Sequence, residues 1–319
     1  MGGKFLLNDS IHIIDSHDLN REGRTSSYLI QDEKTVLLEP SASPSVPYLL
    51  SGLKQLNVSP EAIDYIIVTH IHLDHAGGTG LLLKSCPNAK VIVHPKGARH
   101  LANPKRLIEG ARAVYGSKFD ELFSPILPIP ESRILVKEDG ETLEIGKNRT
   151  LEFIDSPGHA NHHFSILDSL SRGIFTGDTI GIFYQELLDQ GLEFYLPSTS
   201  PNQFDPKKMM ASAEKISKYN PEVIYFSHYG ASFSPEKAFS SLEKWLPVFL
   251  EAAETSLLAS NNDGGTAAIK ELLFKKVQTY LRSEGIPDTH RVYEILELDL
   301  SVCAMGLADY FKKGDHPID

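Results

Sequence analysis

The sequence predicts a mixed α/β fold in which two sheets pack against each other with helices outside, followed by a helical C-terminal portion. Short runs rich in Ile, Val and Leu alternate with helical patterns, and this plan occurs twice before residue 235. From Pro235 onward only helical patterns follow. No sequence repeat relates the two halves, so the order of the elements alone predicts the two sheets.

The first half of the chain combines strand-like runs with helical patterns. The strand-like segments are SIHIID (10–15), SSYLIQ (26–31), KTVLLE (34–39), AIDYIIVTH (62–70) and AKVIVH (89–94). The continuous apolar run in 62–70 indicates a strand that is buried on both faces. Helical spacing covers residues 45–56, begins again near Ala76, and spans 95–124 with several breaks.

The second half repeats this plan and then changes character. Its strand-like segments are SRILVKE (132–138), TLEFID (150–155), HFSILD (163–168), GIFTGD (173–178) and EVIYFSH (222–228), with a helix from about Pro206 to Tyr219. Three helical patterns follow, at 235–260, 265–285 and 289–314. We therefore predict a catalytic domain at 1–234 and a helical extension at 235–319 that packs on it. The extension is predicted to cap the active site, to form a homodimer interface, or both.

The composition argues against a nucleic-acid or membrane partner. The 42 acidic and 31 basic residues give a net charge of −11, which argues against a nucleic-acid partner because such proteins need a basic surface. Two cysteines are too few for a disulfide framework. No run approaches the roughly 20 apolar residues of a membrane span, and the N-terminus lacks the apolar core of a signal peptide. We expect a cytoplasmic protein with a small-molecule substrate and neither nucleic acid nor membrane as partner.

Metal-binding side chains follow several of the predicted strands directly. They are His70, His72 and His75 in THIHLDH, His159 in SPGH, Asp178 in TGD and His228 in FSH. The spacing of His70 and His72 places two imidazoles on one side of an extended segment, where they converge on one ion. Asp74 and His75 then point elsewhere, which indicates a second ion nearby. Mixed imidazole and carboxylate ligands suit zinc, iron or manganese.

The motifs THIHLDHAGG, PGH, TGD and SHYG, in this order, resemble those of the metallo-β-lactamase superfamily over about residues 10–235. The resemblance implies a four-layer αββα sandwich with two divalent metal ions at one edge of the two sheets. It implies that the first ion is bound by His70, His72 and His159. It implies that the second is bound by Asp74, His75 and His228, with Asp178 bridging the two ions.

The resemblance also implies a mechanism and further site residues. A hydroxide held between the ions would be the nucleophile, with Asp74 and Asp178 as the catalytic carboxylates. Zinc is the first choice of metal, with iron and manganese as alternatives. In glyoxalase-like members a histidine at the position of His163 lies behind the metal ligands, although a solvated or hydrogen-bonded structural role also accounts for His163. Tyr184 and Tyr195 lie where related lactonases and esterases contact substrate, although ordinary burial also accounts for both.

These implications favour a dinuclear metal-dependent hydrolase of a small carboxylic ester, thioester or lactone. The metal set is that of glyoxalase II, but PGHANHH departs from its PGHTxGH form, and the glutathione-binding residues have no counterpart here. Flavodiiron reductases carry glutamate where this chain has His72. Two alternatives stay open, an iron-dependent persulfide dioxygenase with a single iron and a non-catalytic ligand-binding protein that retains its metals.

Overall fold

The computed structural model describes residues 5–8, 10–259 and 265–314, except for the side chains of 5–8. The chain forms two compact units. The first contains Met1–Asp155, His162–Gly177 and Asn220–Phe233, and the second contains Ser156–Asn161, Asp178–Tyr219 and Ser234–Asp319. The boundaries of these two units differ from those of the predicted domains 1–234 and 235–319. The division into those two domains stays a prediction.

The first unit contains a seven-stranded sheet in which the strands follow chain order. They are β1 (Phe5–Asn8), β2 (Ile11–Asp15), β3 (Ser26–Gln31), β4 (Thr35–Leu38), β5 (Ile63–Ile67), β6 (Lys90–Val93) and β7 (Ile134–Val136). Neighbouring strands from β1 to β4 are antiparallel, and those from β4 to β7 are parallel. The carboxyl ends of β4, β5 and β6 therefore lie at the same edge of the sheet.

A second, six-stranded sheet completes the β-structure of this unit. Its strands are β8 (Thr142–Gly146), β9 (Arg149–Asp155), β10 (Phe164–Asp168), β11 (Gly173–Gly177), β14 (Val223–Phe226) and β15 (Gly230–Ser232). The order is β15-β14-β11-β10-β9-β8, and β9, β11 and β14 run in one direction. Two short strands, β12 (Ile182–Phe183) and β13 (Tyr195–Leu196), lie between β11 and β14 in sequence and form a hairpin in the second unit.

The two sheets of the first unit face each other across an apolar core. Tyr28 and Ile30 of β3 belong to the same buried cluster as Phe153 of β9 and Phe175 of β11. Leu29, between Tyr28 and Ile30, lies in the other cluster, on the helix side of the first sheet. This alternation follows from the two-residue period of a strand, and it fixes which face of β3 meets the second sheet.

Six helices in the first unit follow strands of the first sheet. They are α1 (Val46–Gln55), α2 (Leu73–Ala76), α3 (Thr79–Leu82), α4 (Pro95–Ala102), α5 (Lys105–Tyr115) and α6 (Phe119–Phe123). Leu49 and Leu53 of α1, one turn apart, are fully buried against the sheet with Leu82 of α3. The helix expected from Ala76 is two short helices, because the chain turns at Gly77 and Gly78.

The second unit is mainly helical. It contains α7 (Pro206–Ser217), α8 (Pro235–Ala259), α9 (Gly265–Ser283) and α10 (Val292–Lys313). On α9 the buried side chains Ile269, Leu273, Val277 and Leu281 recur every fourth residue, so one stripe faces the core. Among the described residues, no helix combines the length and apolar character needed to cross a membrane.

The predicted α/β fold with two sheets and a helical C-terminal portion is confirmed. The strands missed by the prediction are β1, β8, β12, β13 and β15, which have two to five residues each. Segments of this length contain too few residues to show a period, and pairing with neighbouring strands decides their conformation.

A buried ion pair in the first unit provides a test of its packing. Arg149 on β9 donates from Nε and Nη2 to the two carboxylate oxygens of Asp168 on β10, at 2.7 Å each, and both side chains are at most 1% exposed. We expect Asp168→Ala to lower the free energy of unfolding by about 3–5 kcal/mol, because the buried guanidinium loses its bidentate carboxylate and keeps the Ser10 hydroxyl at 2.7 Å and Asp32 Oδ2 at 3.9 Å. Urea unfolding followed by circular dichroism measures this change.

The matched control is Asp120→Ala, which removes a bidentate partner of Arg112 on the surface, where the two side chains are 62% and 49% exposed. Its effect should lie near the error of the measurement, because water screens the pair. Equal effects of the two substitutions would show that the buried ion pair stabilises the fold no more than the exposed one does.

Candidate metal centre

Polar side chains gather at the carboxyl ends of strands in the first unit. Glu39 follows β4 directly, Thr69 and His70 lie just beyond β5, and Ser227 and His228 follow β14. Glu39, Thr69, His70 and Ser227 are at most 2% exposed, and His228 is buried as well. Strands of both sheets therefore position these buried side chains on a rigid scaffold, as is common for functional sites.

Glu39 is the hydrogen-bond centre of the cluster. Its Oε1 accepts from the backbone N–H of Thr69 at 2.7 Å, and its Oε2 lies 2.6 Å from His75 Nδ1, 2.9 Å from Ser227 Oγ and 3.1 Å from Thr69 Oγ1. A carboxylate accepts only, so the Nδ1 of His75 carries the proton and its Nε2 presents a lone pair. Glu39 therefore fixes the tautomer in which the Nε2 of His75 is available to a metal ion.

The same carboxylate orients His70 through a hydroxyl. The Thr69 hydroxyl donates its one proton to Glu39, so it accepts from His70 Nδ1, which lies 3.1 Å away. The Nε2 of His70 is then an acceptor, and it lies 3.0 Å from Nδ1 of His72. Two ring nitrogens at that distance need a proton or a cation between their lone pairs, so the pair fits a shared metal ion.

A second group of potential metal ligands converges on Asp74. The Nε2 atoms of His75 and His228 each lie 3.5 Å from Asp74 Oδ2, and these ligand atoms lie within 4.8 Å of one another. His228 Nδ1 donates to the carbonyl of Arg24 at 3.3 Å, which leaves its Nε2 as an acceptor. Burial raises the pKa of Asp74, but the positive charge that His75, His228 and His72 carry when protonated, together with a hydrogen bond from His228, holds it well below the usual value. The group thus combines an ionised carboxylate with two imidazole lone pairs.

Two further predicted ligands lie together in the second unit. His159 Nε2 is 3.6 Å from Asp178 Oδ2, and both side chains are buried. His159 Nδ1 donates to the carbonyl of Ser198 at 3.0 Å, and the Ser198 hydroxyl donates to Asp178 Oδ2 at 3.0 Å. The backbone carbonyl accepts only, so His159 also presents its Nε2 lone pair. The predicted ligand set therefore falls into His70, His72, Asp74, His75 and His228 in one unit and His159 and Asp178 in the other.

His163 lies behind a predicted ligand, as the resemblance implies. Its ring is fully buried and stacks on His70 with centroids 4.9 Å apart and an interplanar angle of 28°. Gly177 makes room for it, because a Cβ at that glycine would collide with His163 Nε2. His162 also stacks on His70, at the longer distance of 6.3 Å. His163 is therefore in contact with the ring of a predicted ligand.

The two tyrosines with a predicted substrate role are buried and have hydrogen-bond partners within the second unit. The Tyr184 hydroxyl donates to Asp299 of α10 at 3.0 Å, and that of Tyr195 donates to Glu193 at 3.0 Å. Each tyrosine is 1% exposed. These contacts match the alternative of ordinary burial, and a substrate role for either tyrosine stays a prediction.

Sequence reasoning missed several residues that hold the ligands. Glu39 directly follows the strand TVLL, which pairs in parallel with the strand that precedes His70. Its position at the end of that strand was the signal that could have revealed it. Ser198 gave no signal, because it lies in a loop far from both partners in sequence. Asp18 is a further buried carboxyl. Burial and the charge of Asp74 raise its pKa, and Arg24 and His228 oppose that rise. The Thr25 hydroxyl lies 3.5 Å from Asp18 Oδ2.

Residues 20–228 match the family model of the metallo-beta-lactamase superfamily. Over 226 residues the chain is 30% identical to the metallo-beta-lactamase fold-containing protein ST1585 of Sulfurisphaera tokodaii, covering 70% of this chain and 78% of that protein. The crystal structure of ST1585 matches with a TM-score of 0.61 at 26% identity, covering 74% of this chain and 85% of that one.

Two further comparisons extend the similarity. The metallo-beta-lactamase family protein TTHA1429 of Thermus thermophilus shares the fold over 96% of this chain and 94% of its own, with a TM-score of 0.67 and 18% identity. The putative diflavin flavoprotein A 2 of Nostoc is 31% identical over 171 residues, or 53% of this chain. The aligned part is only 25% of that flavoprotein.

The role of Glu39 in orienting His70 and His75 is testable by Glu39→Gln. The amide keeps the shape of the side chain but loses its charge and offers fewer acceptor sites to the surrounding donors. We expect divalent metal affinity to fall about 10- to 100-fold. Competition with a chelator measures it. Glu33→Gln, on the exposed turn before β4, should leave the affinity unchanged.

A milder effect is expected for His163→Ala. Loss of the stacked ring should let His70 reorient and reduce metal affinity about 10-fold, within the range for residues behind metal ligands. Thermal unfolding separates this effect from loss of packing. Unchanged metal affinity in a folded variant would show that His163 contributes to packing and does not orient His70.

Proposed function

This chain belongs to the metallo-β-lactamase superfamily, and on that premise we propose that it is a dinuclear metal-dependent hydrolase of a small carboxylic ester, thioester or lactone. The observation that carries the proposal is the convergence of His75 Nε2 and His228 Nε2 on Asp74 Oδ2, at 3.5 Å each. Imidazole nitrogens and a carboxylate oxygen suit zinc, iron or manganese rather than magnesium or calcium.

We assign the ligands by motif order within the family. In this proposal His70, His72 and His159 bind one ion, Asp74, His75 and His228 bind the other, and Asp178 bridges them. The support is the orientation of each imidazole, since an acceptor on its other nitrogen leaves the Nε2 of His70, His75, His159 and His228 with a lone pair. Divalent ions held there would supply Lewis acidity and lower the pKa of bound water.

The side chains themselves account for the handling of protons. The Asp74 side chain is 30% exposed, whereas those of His75 and His228 are 0% and 4% exposed. Among these three, Asp74 is therefore the group that incoming water reaches. Its carboxylate is ionised, so it can accept a hydrogen bond from that water and orient it toward an acyl carbon. Asp178, next to His159, is the second proposed catalytic carboxylate.

An iron-dependent oxidoreductase is the second candidate. The similarity to a protein named diflavin flavoprotein favours redox chemistry in this family. Because flavodiiron reductases carry glutamate where this chain has His72, a persulfide dioxygenase with one iron is the form that the motif permits. The two candidates differ in metal count and in the use of O₂. A protein that retains its metals without turnover is the third candidate.

The deciding experiment combines elemental analysis with a panel of esters, thioesters, lactones and phosphodiesters. We expect two transition-metal ions per chain, hydrolysis of at least one acyl substrate, loss of activity with a chelator, and no O₂ uptake. One iron per chain with O₂ uptake on a persulfide would replace the hydrolase by the oxidoreductase. Bound metal without turnover on any substrate would favour the non-catalytic protein.

Replacement of Asp178 by Ala tests the bridging role. We expect the variant to lose at least one metal ion and nearly all hydrolysis, because the bridge contributes to both ions. Asp189→Ala, at an exposed position of the same unit, should behave like the wild-type protein. Full activity of Asp178→Ala with both ions retained would refute the assignment.

A further inference from the structure

In the second unit, one loop contacts both predicted ligands. This loop, residues 197–202, is called the bracing segment below. The Ser198 carbonyl accepts from His159 Nδ1, and the Ser198 hydroxyl donates to Asp178 Oδ2, at 3.0 Å each. Ser200 Oγ lies 3.3 Å from His159 Nε2. The bracing segment thus contacts both ring nitrogens of His159 and the carboxylate of Asp178.

The C-terminal helix α10 holds the bracing segment from the other side. The Thr199 hydroxyl donates to the carbonyl of Cys303 at 3.0 Å, and Lys313 Nζ donates to the carbonyl of Asn202 at 2.8 Å. The Cys303 thiol donates to the carbonyl of Pro197 at 3.6 Å. Burial raises the pKa of that thiol to about 12, so it keeps the proton that it donates. Hydrogen bonds between α10 and the bracing segment therefore hold that segment along its length.

Gly306 brings the backbone of α10 close to the bracing segment. A Cβ at this position would overlap the carbonyl oxygen of Thr199 and the carbonyl carbon of Ser200. Glycine weakens a helix interior relative to alanine, so its place in the middle of α10 has to be offset by another contact. The close approach of the bracing segment is that contact. Thr199 is fully buried there, so it has no room to move aside.

We propose that α10 is a positioning element of the metal centre, which acts through the bracing segment to orient His159 and Asp178. Gly306 and Thr199 are the positioning residues: Gly306 sets the distance between helix and segment, and Thr199 ties the two together. The inference rests on the proposed function, because it takes His159 and Asp178 as metal ligands. Partners behind ligands commonly change metal affinity 10- to 100-fold, and here they belong to the C-terminal helix.

The test uses the full-length protein, freed of metal with a chelator and titrated with Co²⁺. The variants are Thr199→Val, which keeps the shape but loses the hydroxyl, and Gly306→Ala. Each has a matched control. Thr279→Val removes an exposed hydroxyl bond to the carbonyl of Lys275 on α9, and Gly110→Ala adds a methyl on α5 where no atom lies within 4 Å.

We expect both variants to keep the circular dichroism spectrum of the wild-type protein. Their affinity for at least one of two Co²⁺ ions should fall about 10- to 100-fold, with shifted ligand-field absorption bands. The controls should match the wild-type protein. Ser198→Ala should shift the same bands, and Ser198→Thr, which keeps the hydroxyl, should restore them. A purely structural role of α10 would change stability without moving these bands.

The outcomes separate the two proposals. Wild-type protein that binds no Co²⁺ would overturn the proposed function. Wild-type protein that binds two ions, with the same affinity and spectrum in Thr199→Val and Gly306→Ala, would overturn the role of α10 alone. If Gly306→Ala fails to fold, Thr199→Val alone decides the role of α10 by the same criteria.

Discussion

A carboxylate removed from water is stable only when hydrogen-bond donors surround it, and Glu39 meets this condition with the backbone N–H of Thr69, two hydroxyls and an imidazole. The position is also strained. Glu39 has a φ of 59°, in the left-handed region that a residue with a Cβ rarely adopts. Such strain persists where the surrounding structure over-determines the conformation, and it clusters at functional sites. The orientation of His70 and His75 depends on this carboxylate.

Three of the predicted imidazole ligands, drawn from both units, follow one chemical rule. Each of His75, His228 and His159 gives its Nδ1 proton to a group that only accepts, either a carboxylate or a backbone carbonyl. The lone pair on Nε2 is thereby presented for metal binding. Because neutral imidazole is the form that binds metal, these partners decide which of its two tautomers forms. The rule applies in a sheet-based unit and in a mainly helical one.

The C-terminal helices share a compact unit with two predicted ligands. His159 and Asp178 belong to the same unit as α8, α9 and α10, although more than 50 residues separate Asp178 from Pro235 in sequence. A sequence boundary at residue 234 therefore separates parts that pack together. The helical portion contributes more than a lid or an interface if it also sets the geometry of the ligands.

The sequence by itself determined the fold class, the family and the identity of the predicted ligands. Strands such as AIDYIIVTH have enough apolar residues to be recognised, and THIHLDH places its metal-binding side chains within a few residues of one another. Only the tertiary structure decided which groups orient those ligands. Glu39, Ser198 and Gly306 are distant in sequence from the residues they contact, and their partners are set by strand pairing and helix packing. A local sequence pattern records the propensity of its own segment, whereas a hydrogen bond between distant segments exists only after the chain has folded.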